Sequence, residues 1–219
     1  MTAASPAGGE LEPFPRLYAL LARGRLFRRF YRLVLADLAE GLPHGARLLD
    51  VGAGPGYLLD YLAALRPDLE LWGVDLDWRM LSYGRRRISR LTSSPWPRIA
   101  ARAQALPCKG GVFERVIATM SLHHWRQPAL GVAEILRVLK PGGRAWLYEV
   151  HREATLADLR RFATQEKLFF PLVFLAFKVL SPGHALEAGG FARVCREAGA
   201  GQWRLKTAHH VFLRAEIEG

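Results

Sequence analysis

Two aspartates, three alternating glycines and a pair of histidines are the residues of this chain best suited to chemistry. Asp50 stands just before Gly52, Ala53, Gly54, Pro55, Gly56 and Tyr57. Alternating glycines let a backbone bend sharply and let a ligand lie against bare peptide. A helix that opens at such a turn aims its first N–H groups at whatever polar group sits there. A carboxylate beside the turn suits a positively charged ligand better than a pyrophosphate. The dinucleotide fingerprint G-x-G-x-x-G is also broken, because Tyr57 occupies its third glycine slot. A second carboxylate, Asp75, follows Gly56 by 19 residues, near the interval of about 20 at which an acid reads a ribose. Its two oxygens can accept from both ribose hydroxyls. His123 and His124 could act as general base or orient a substrate. Neighbouring residues usually point apart, so they make no metal pair, and no metal site is expected. Glu149 is a further candidate base or amine anchor. Each has a plainer alternative: a structural hydrogen bond for either histidine, a surface carboxylate for Glu149.

The elements that must hold these residues alternate. Residues 47–51 form a short apolar strand that runs into the glycine turn, and 57–65 form the helix after it. Strands follow at 69–75, 99–103 and 113–120. An amphipathic helix at 129–139 turns Leu130, Ala133, Ile135, Leu136 and Leu139 inward. Lys140, Pro141, Gly142 and Gly143 then turn the chain into a strand at 144–150, with the lysine suiting the negative end of the helix. Strand and helix in alternation imply a parallel α/β sheet, with ligands at the carboxyl ends of its strands. Upstream, 16–40 carries helical periodicity that Gly24 splits in two. Downstream come a charged helix at 155–166, a very apolar run at 168–180 and a helix at 186–198. Strands at 203–209 and 211–217 are joined tightly enough to be antiparallel, with His209 and His210 at a surface turn.

These motifs resemble, in order, those of the class I S-adenosylmethionine-dependent methyltransferases, closest to the quinone-biosynthesis-like (type 11) group. The resemblance starts at Asp50–Tyr57. It runs through Gly73-Val74-Asp75-Leu76-Asp77, Ala103-Gln104-Ala105-Leu106-Pro107, Phe113-Glu114-Arg115-Val116, Ser121-Leu122-His123-His124-Trp125 and Arg137-Val138-Leu139-Lys140-Pro141-Gly142-Gly143. It covers roughly residues 47–150. It implies a Rossmann-like fold, a mostly parallel seven-stranded sheet with an antiparallel last strand and helices on both faces. Residues 1–45 would form a helical segment over the cofactor site, 46–150 the cofactor-binding core, and 151–219 cap helices and a strand pair completing the same domain. The cofactor implied is S-adenosyl-L-methionine. Asp50, Gly52, Ala53, Gly54, Gly56 and Tyr57 would hold its methionine end, with Asp75 and Leu76 at the ribose. Ala103 and Gln104 would hold the adenine, and Thr119 and Tyr18 would cover the site. The chain departs from the pattern at Arg102, where relatives commonly place an acid that reads the adenine amine. A guanidinium cannot accept that bond.

Composition bounds the partners. The net charge of +11 allows an anionic substrate, an anionic membrane surface or RNA. Against RNA, no Asn/Asp-Pro-Pro-aromatic motif follows strand four; Thr119 to Leu122 stand there. Cys108 and Cys195 are far apart and lack metal spacing. The chain reads as cytoplasmic, at most peripheral to a membrane, with a small-molecule methyl acceptor as partner. The 168–180 run reads as a cap lining an apolar acceptor pocket, or as an interfacial helix. Arg85, Arg86, Arg87 and Arg90 read as a solvated face or a phosphate patch. Rival readings are an RNA or lipid/quinone methyltransferase and a degenerate cofactor-binding protein.

Overall fold

The computed structural model describes residues 15–39, 41–88, 96–180 and 187–219. Residues 1–14, 40, 89–95 and 181–186 lie outside these residues. That takes in Arg90, and the side chains of Arg85 to Arg87 lie outside as well.

Seven strands form one sheet: β1 (Arg47–Val51), β2 (Glu70–Asp75), β3 (Arg98–Ala100), β4 (Phe113–Thr119), β5 (Leu139–Val150), β6 (Gln202–Ala208) and β7 (Phe212–Glu218). Their order is β3-β2-β1-β4-β5-β7-β6. Strands β1 to β5 pair in parallel, and β7 inserts antiparallel between β5 and β6. The Rossmann-like arrangement expected of the sequence is therefore present. β5 starts earlier than expected. Phe113 pairs with Leu139, but Arg115 pairs with Arg144, so the Lys140–Gly143 stretch bulges out of the ladder. Lys140 is not left to the helix end. It forms an ion pair with Glu114, whose other oxygen accepts from the Arg47 N–H at 2.8 Å.

Two layers of helices cover the sheet. On one face lie α2 (Arg25–Ala39), α3 (Tyr57–Leu65), α6 (Leu156–Gln165) and α7 (Phe170–Phe174), the last continued by a π-helical segment, Leu175–Leu180. On the other lie α5 (Pro128–Val138) and α8 (Ala188–Glu197). α1 (Pro15–Leu21) packs on α4 (Trp78–Ile88), and Gly24 separates it from α2 as expected. The inward face of α5 differs from expectation. Val132, Ile135 and Val138 are buried while Leu130 is 52% exposed. The helix is apolar nearly all round, so the packing of α8 and the sheet decides its orientation.

Candidate active site

The carboxyl ends of β1, β2, β3 and β4 frame a cleft, and the glycine turn forms its floor. Gly52, Gly54 and Gly56 have φ of 82°, 54° and 76°, a region that side chains disfavour. A Cβ on Gly52 would lie 2.3 Å from the Cβ of Ser121, and one on Gly56 would lie 2.2 Å from the Trp96 ring. Those two glycines are demanded by packing as well as by φ. A Cβ on Gly54 would meet only the Met80 methyl, at 3.7 Å, so this glycine keeps bare backbone at the cleft. Tyr57 sits elsewhere than expected of a ligand contact. It is buried, and its hydroxyl donates to the Ala19 carbonyl at 3.2 Å. Its work is to tie the first turn of α3 to α1.

The cleft, counted with the solvent-open space at its mouth, spans about 740 Å³. Asp75, Leu76, Arg102, Ala103, Gln104, Met120 and His124 line it, with Tyr18 from α1. Asp75 accepts from the N–H groups of Gly54 and Asp77, both at 2.8 Å. Burial pushes its pKa up to about 6, against the pull of those two N–H groups. A second cavity of about 350 Å³ shares Tyr18, Gly52, Gly54 and Met120 with the first. Asp50, Ala53, Thr119 and the rings of Phe27, Phe30 and Tyr31 complete it. Asp50 is 1% exposed, and its Oδ1 has no hydrogen-bond partner among the described residues. Burial first, and Asp75 second, push its pKa up to about 8. An unpartnered carboxylate in a ring-lined cavity calls for a cation.

Past β4 the chain enters a 3-10 turn at Leu122–His124. Glu149, on β5 and 1% exposed, holds this turn from beneath. Its Oε1 accepts from the Leu122 N–H and its Oε2 bonds His123 Nδ1, each at 2.7 Å. Glu149 thus departs from the expected position at an acceptor: both its oxygens are engaged in the interior. His123 is nearly covered, while His124 is exposed on the cleft wall, their rings 4.1 Å apart. Met120, between the two cavities, has φ of 50°, a strained setting for a side chain. The sequence reading missed Met80, Met120 and the α2 rings as lining. Only the position of Met120 just past β4 could have signalled it.

Among the described side chains, none of residues 168–178 lines either cavity. Val173 and Phe177 sink into the core instead, against Phe162 and Phe212. No cluster of three or more potential metal ligands occurs among the described residues.

Residues 49–147 match the model of a family described as a methyltransferase domain, type 11. A match to a methyltransferase domain thus spans slightly less than half of the chain. An uncharacterized methyltransferase, YdaC, of Bacillus subtilis is 30% identical over 118 residues, 52% of this chain and 61% of that protein. A demethylmenaquinone methyltransferase of Renibacterium salmoninarum is 36% identical over 117 residues, 53% of this chain and 46% of that one. The chain thus spans about half the length of the curated relatives it matches. A putative S-adenosylmethionine-dependent methyltransferase of Methanococcus maripaludis superposes with a TM-score of 0.71, covering 99% of this chain and 97% of that one. At 14% identity it speaks for the fold alone. The cofactor that goes with this methyltransferase family is S-adenosyl-L-methionine, and the orphaned Asp50 oxygen and the bare backbone at Gly54 fit its cationic end.

Proposed function

We propose that this methyltransferase domain moves a methyl group from S-adenosyl-L-methionine to a small, partly hydrophobic acceptor. The observation that carries the reading is Asp50: a buried, unpartnered carboxylate beside the glycine turn, in a cavity walled by aromatic rings. When bound, the cofactor supplies a methyl group on positively charged sulfur, already activated for displacement. The chain has then to bind, orient and exclude water. Asp50 and the Tyr18, Phe27 and Tyr31 rings offset the positive charge of the methionine end. The Gly52–Gly56 backbone accommodates its close approach, with Ala53 and Thr119 alongside. Asp75 accepts from the ribose and Leu76 packs beside it. Ala103 and Gln104 hold the adenine through backbone and amide groups, since Arg102 can only donate. α1, α2, the described helices after residue 150 and the β6–β7 pair serve the same domain, with α1 and α2 over the site.

His124 is the base where an acceptor proton must leave, because it faces the cleft. His123 and Glu149 are positioning residues that fix the turn carrying it. Titration calorimetry with S-adenosylmethionine and S-adenosylhomocysteine, with NAD as control, tests the cofactor. Micromolar binding of the first two alone is expected. Asp75→Ala should weaken S-adenosylhomocysteine at least tenfold, about 1.4 kcal/mol. Unchanged affinity would remove Asp75 from the ribose.

A further inference from the structure

We infer that one face of the molecule docks on an anionic lipid bilayer. Arg25, Arg28, Arg29 and Arg32 recur on α2 at steps of three, one and three residues, so they share one side of the helix. Arg25, Arg28 and Arg32 are exposed, and Arg29 is half-buried. None has an ion-pair partner among the described residues, although arginine elsewhere in the chain finds acids readily. The opposite side of α2, with Phe30, Val34 and Leu38, is buried in the core, so the arginines face outward.

The second half of the surface is apolar. α7 and its π continuation bury Val173 and Phe177 and leave Leu172 and Phe169 more than 60% exposed, with Leu175 and Phe174 around 40%. Phe30 of α2 and Phe177 of the π segment both pack on the Phe212 ring, with centroids 4.6 and 5.6 Å away. The two elements therefore cover the same face of the sheet, one ring apart. Arg160 lies over the Phe170 ring at 5.4 Å, which puts a further cation at the apolar edge. Guanidinium groups beside exposed leucine and phenylalanine match a surface that is phosphate outside and acyl chain beneath. A nucleic acid would satisfy the arginines but offers nothing to Leu172 and Leu175, which have no ring to stack on bases. No described helix is long and apolar enough to cross a bilayer, so the contact is peripheral. α2 also gives Phe27, Phe30 and Tyr31 to the second cavity, so the docking face borders the proposed cofactor site.

Co-sedimentation with vesicles of phosphatidylcholine, with or without phosphatidylglycerol, tests this. The protein should pellet with the mixed vesicles and not with phosphatidylcholine alone. Arg28→Glu with Arg32→Glu should weaken binding about thirtyfold, roughly 2 kcal/mol at about 1 kcal/mol per basic residue. Leu172→Ser should weaken it at least fivefold, and Phe169→Ser, outside the helix, repeats that arm should the first variant fold poorly. Absence of sedimentation overturns the proposal. So does loss in the arginine variant with none in either apolar variant, which would mark a site for polyanions such as RNA. S-adenosylhomocysteine affinity, measured on the same proteins, reports folding. Its absence in the wild type would count against the methyl-transfer reading and leave the vesicle result to decide docking.

Discussion

Asp50 is costly to the free protein. Its Oδ1 is buried without a donor, and such a group typically costs about 1–3 kcal/mol. Asp50→Asn removes the capacity to ionise at nearly constant shape. We expect the ligand-free variant to melt higher, by about 2–4 °C per kcal/mol recovered, and to bind S-adenosylhomocysteine at least tenfold more weakly. Scanning calorimetry with and without ligand checks both; a variant that melts lower yet binds normally would exclude Asp50 from the site. Its titration gives a second prediction. The folded pKa, about 8, stands above the ordinary 3.8, so between those values the folded state holds more protons than the unfolded one. Ligand-free stability from this group therefore falls as pH rises across that window. A cationic ligand favours the ionised form, so affinity should rise as pH climbs from about 6, where Asp75 ionises, to about 8, and level off above. Titrations across that range, with Tyr31 and Asp75 as the neighbours coupled to Asp50, check the trend. Flat affinity would contradict it.

The glycine turn separates two roles within one element. Gly54→Ala places a methyl where there is space, at φ of 54°. It should cost about 1–2 kcal/mol from the left-handed backbone and a larger share of ligand affinity. Gly56→Ala meets both the backbone penalty and the Trp96 ring, so about 2–4 kcal/mol of stability should go. Urea unfolding and calorimetry on the pair check this; equal stability losses would mean the Trp96 contact relaxes without cost. This turn was legible in the sequence because its signals are local. β1 and α3 fall at the expected Arg47–Val51 and Tyr57–Leu65. β3 was drawn too long, since a strand paired on one side only, Arg98–Ala100, has little in its sequence to fix its end. The Glu149–His123 bond could not be read at all. It spans 26 residues and exists only through the alignment of β4 with β5. The 168–180 run was legible as apolar but not by side. Hydrophobicity says that a segment seeks cover, not which half of it the core will accept.

At the scale of the whole molecule, the helices over the site are fastened to the distant end of the chain. Asp37 on α2 accepts from the Tyr148 hydroxyl at 2.7 Å and pairs with Arg214 of β7 and, at 3.2 Å, with His209. His209 is therefore no plain surface residue of its turn. Hydrogen bonds and Arg214 hold the Asp37 carboxyl below the usual range despite burial. Asp37→Ala leaves Arg214, 10% exposed, with Glu216 as its carboxylate partner beside the Tyr148 hydroxyl. Loss of about 2–4 kcal/mol is expected by analogy with broken buried pairs, together with faster amide exchange along α2. Unchanged stability would show that the pin is decorative.

β7 has a consequence for the order of events in folding. It lies between β5 and β6 and, among the described residues, is the only strand that β6 pairs with. Until Phe212–Glu218 has been synthesised and has left the ribosome, β5 keeps an open edge and β6 has nothing to join. The parallel half of the sheet can assemble early, from segments that follow one another closely. The other half must wait for a strand that turns back into the interior, and during that wait the unfinished edge is open to other nascent chains.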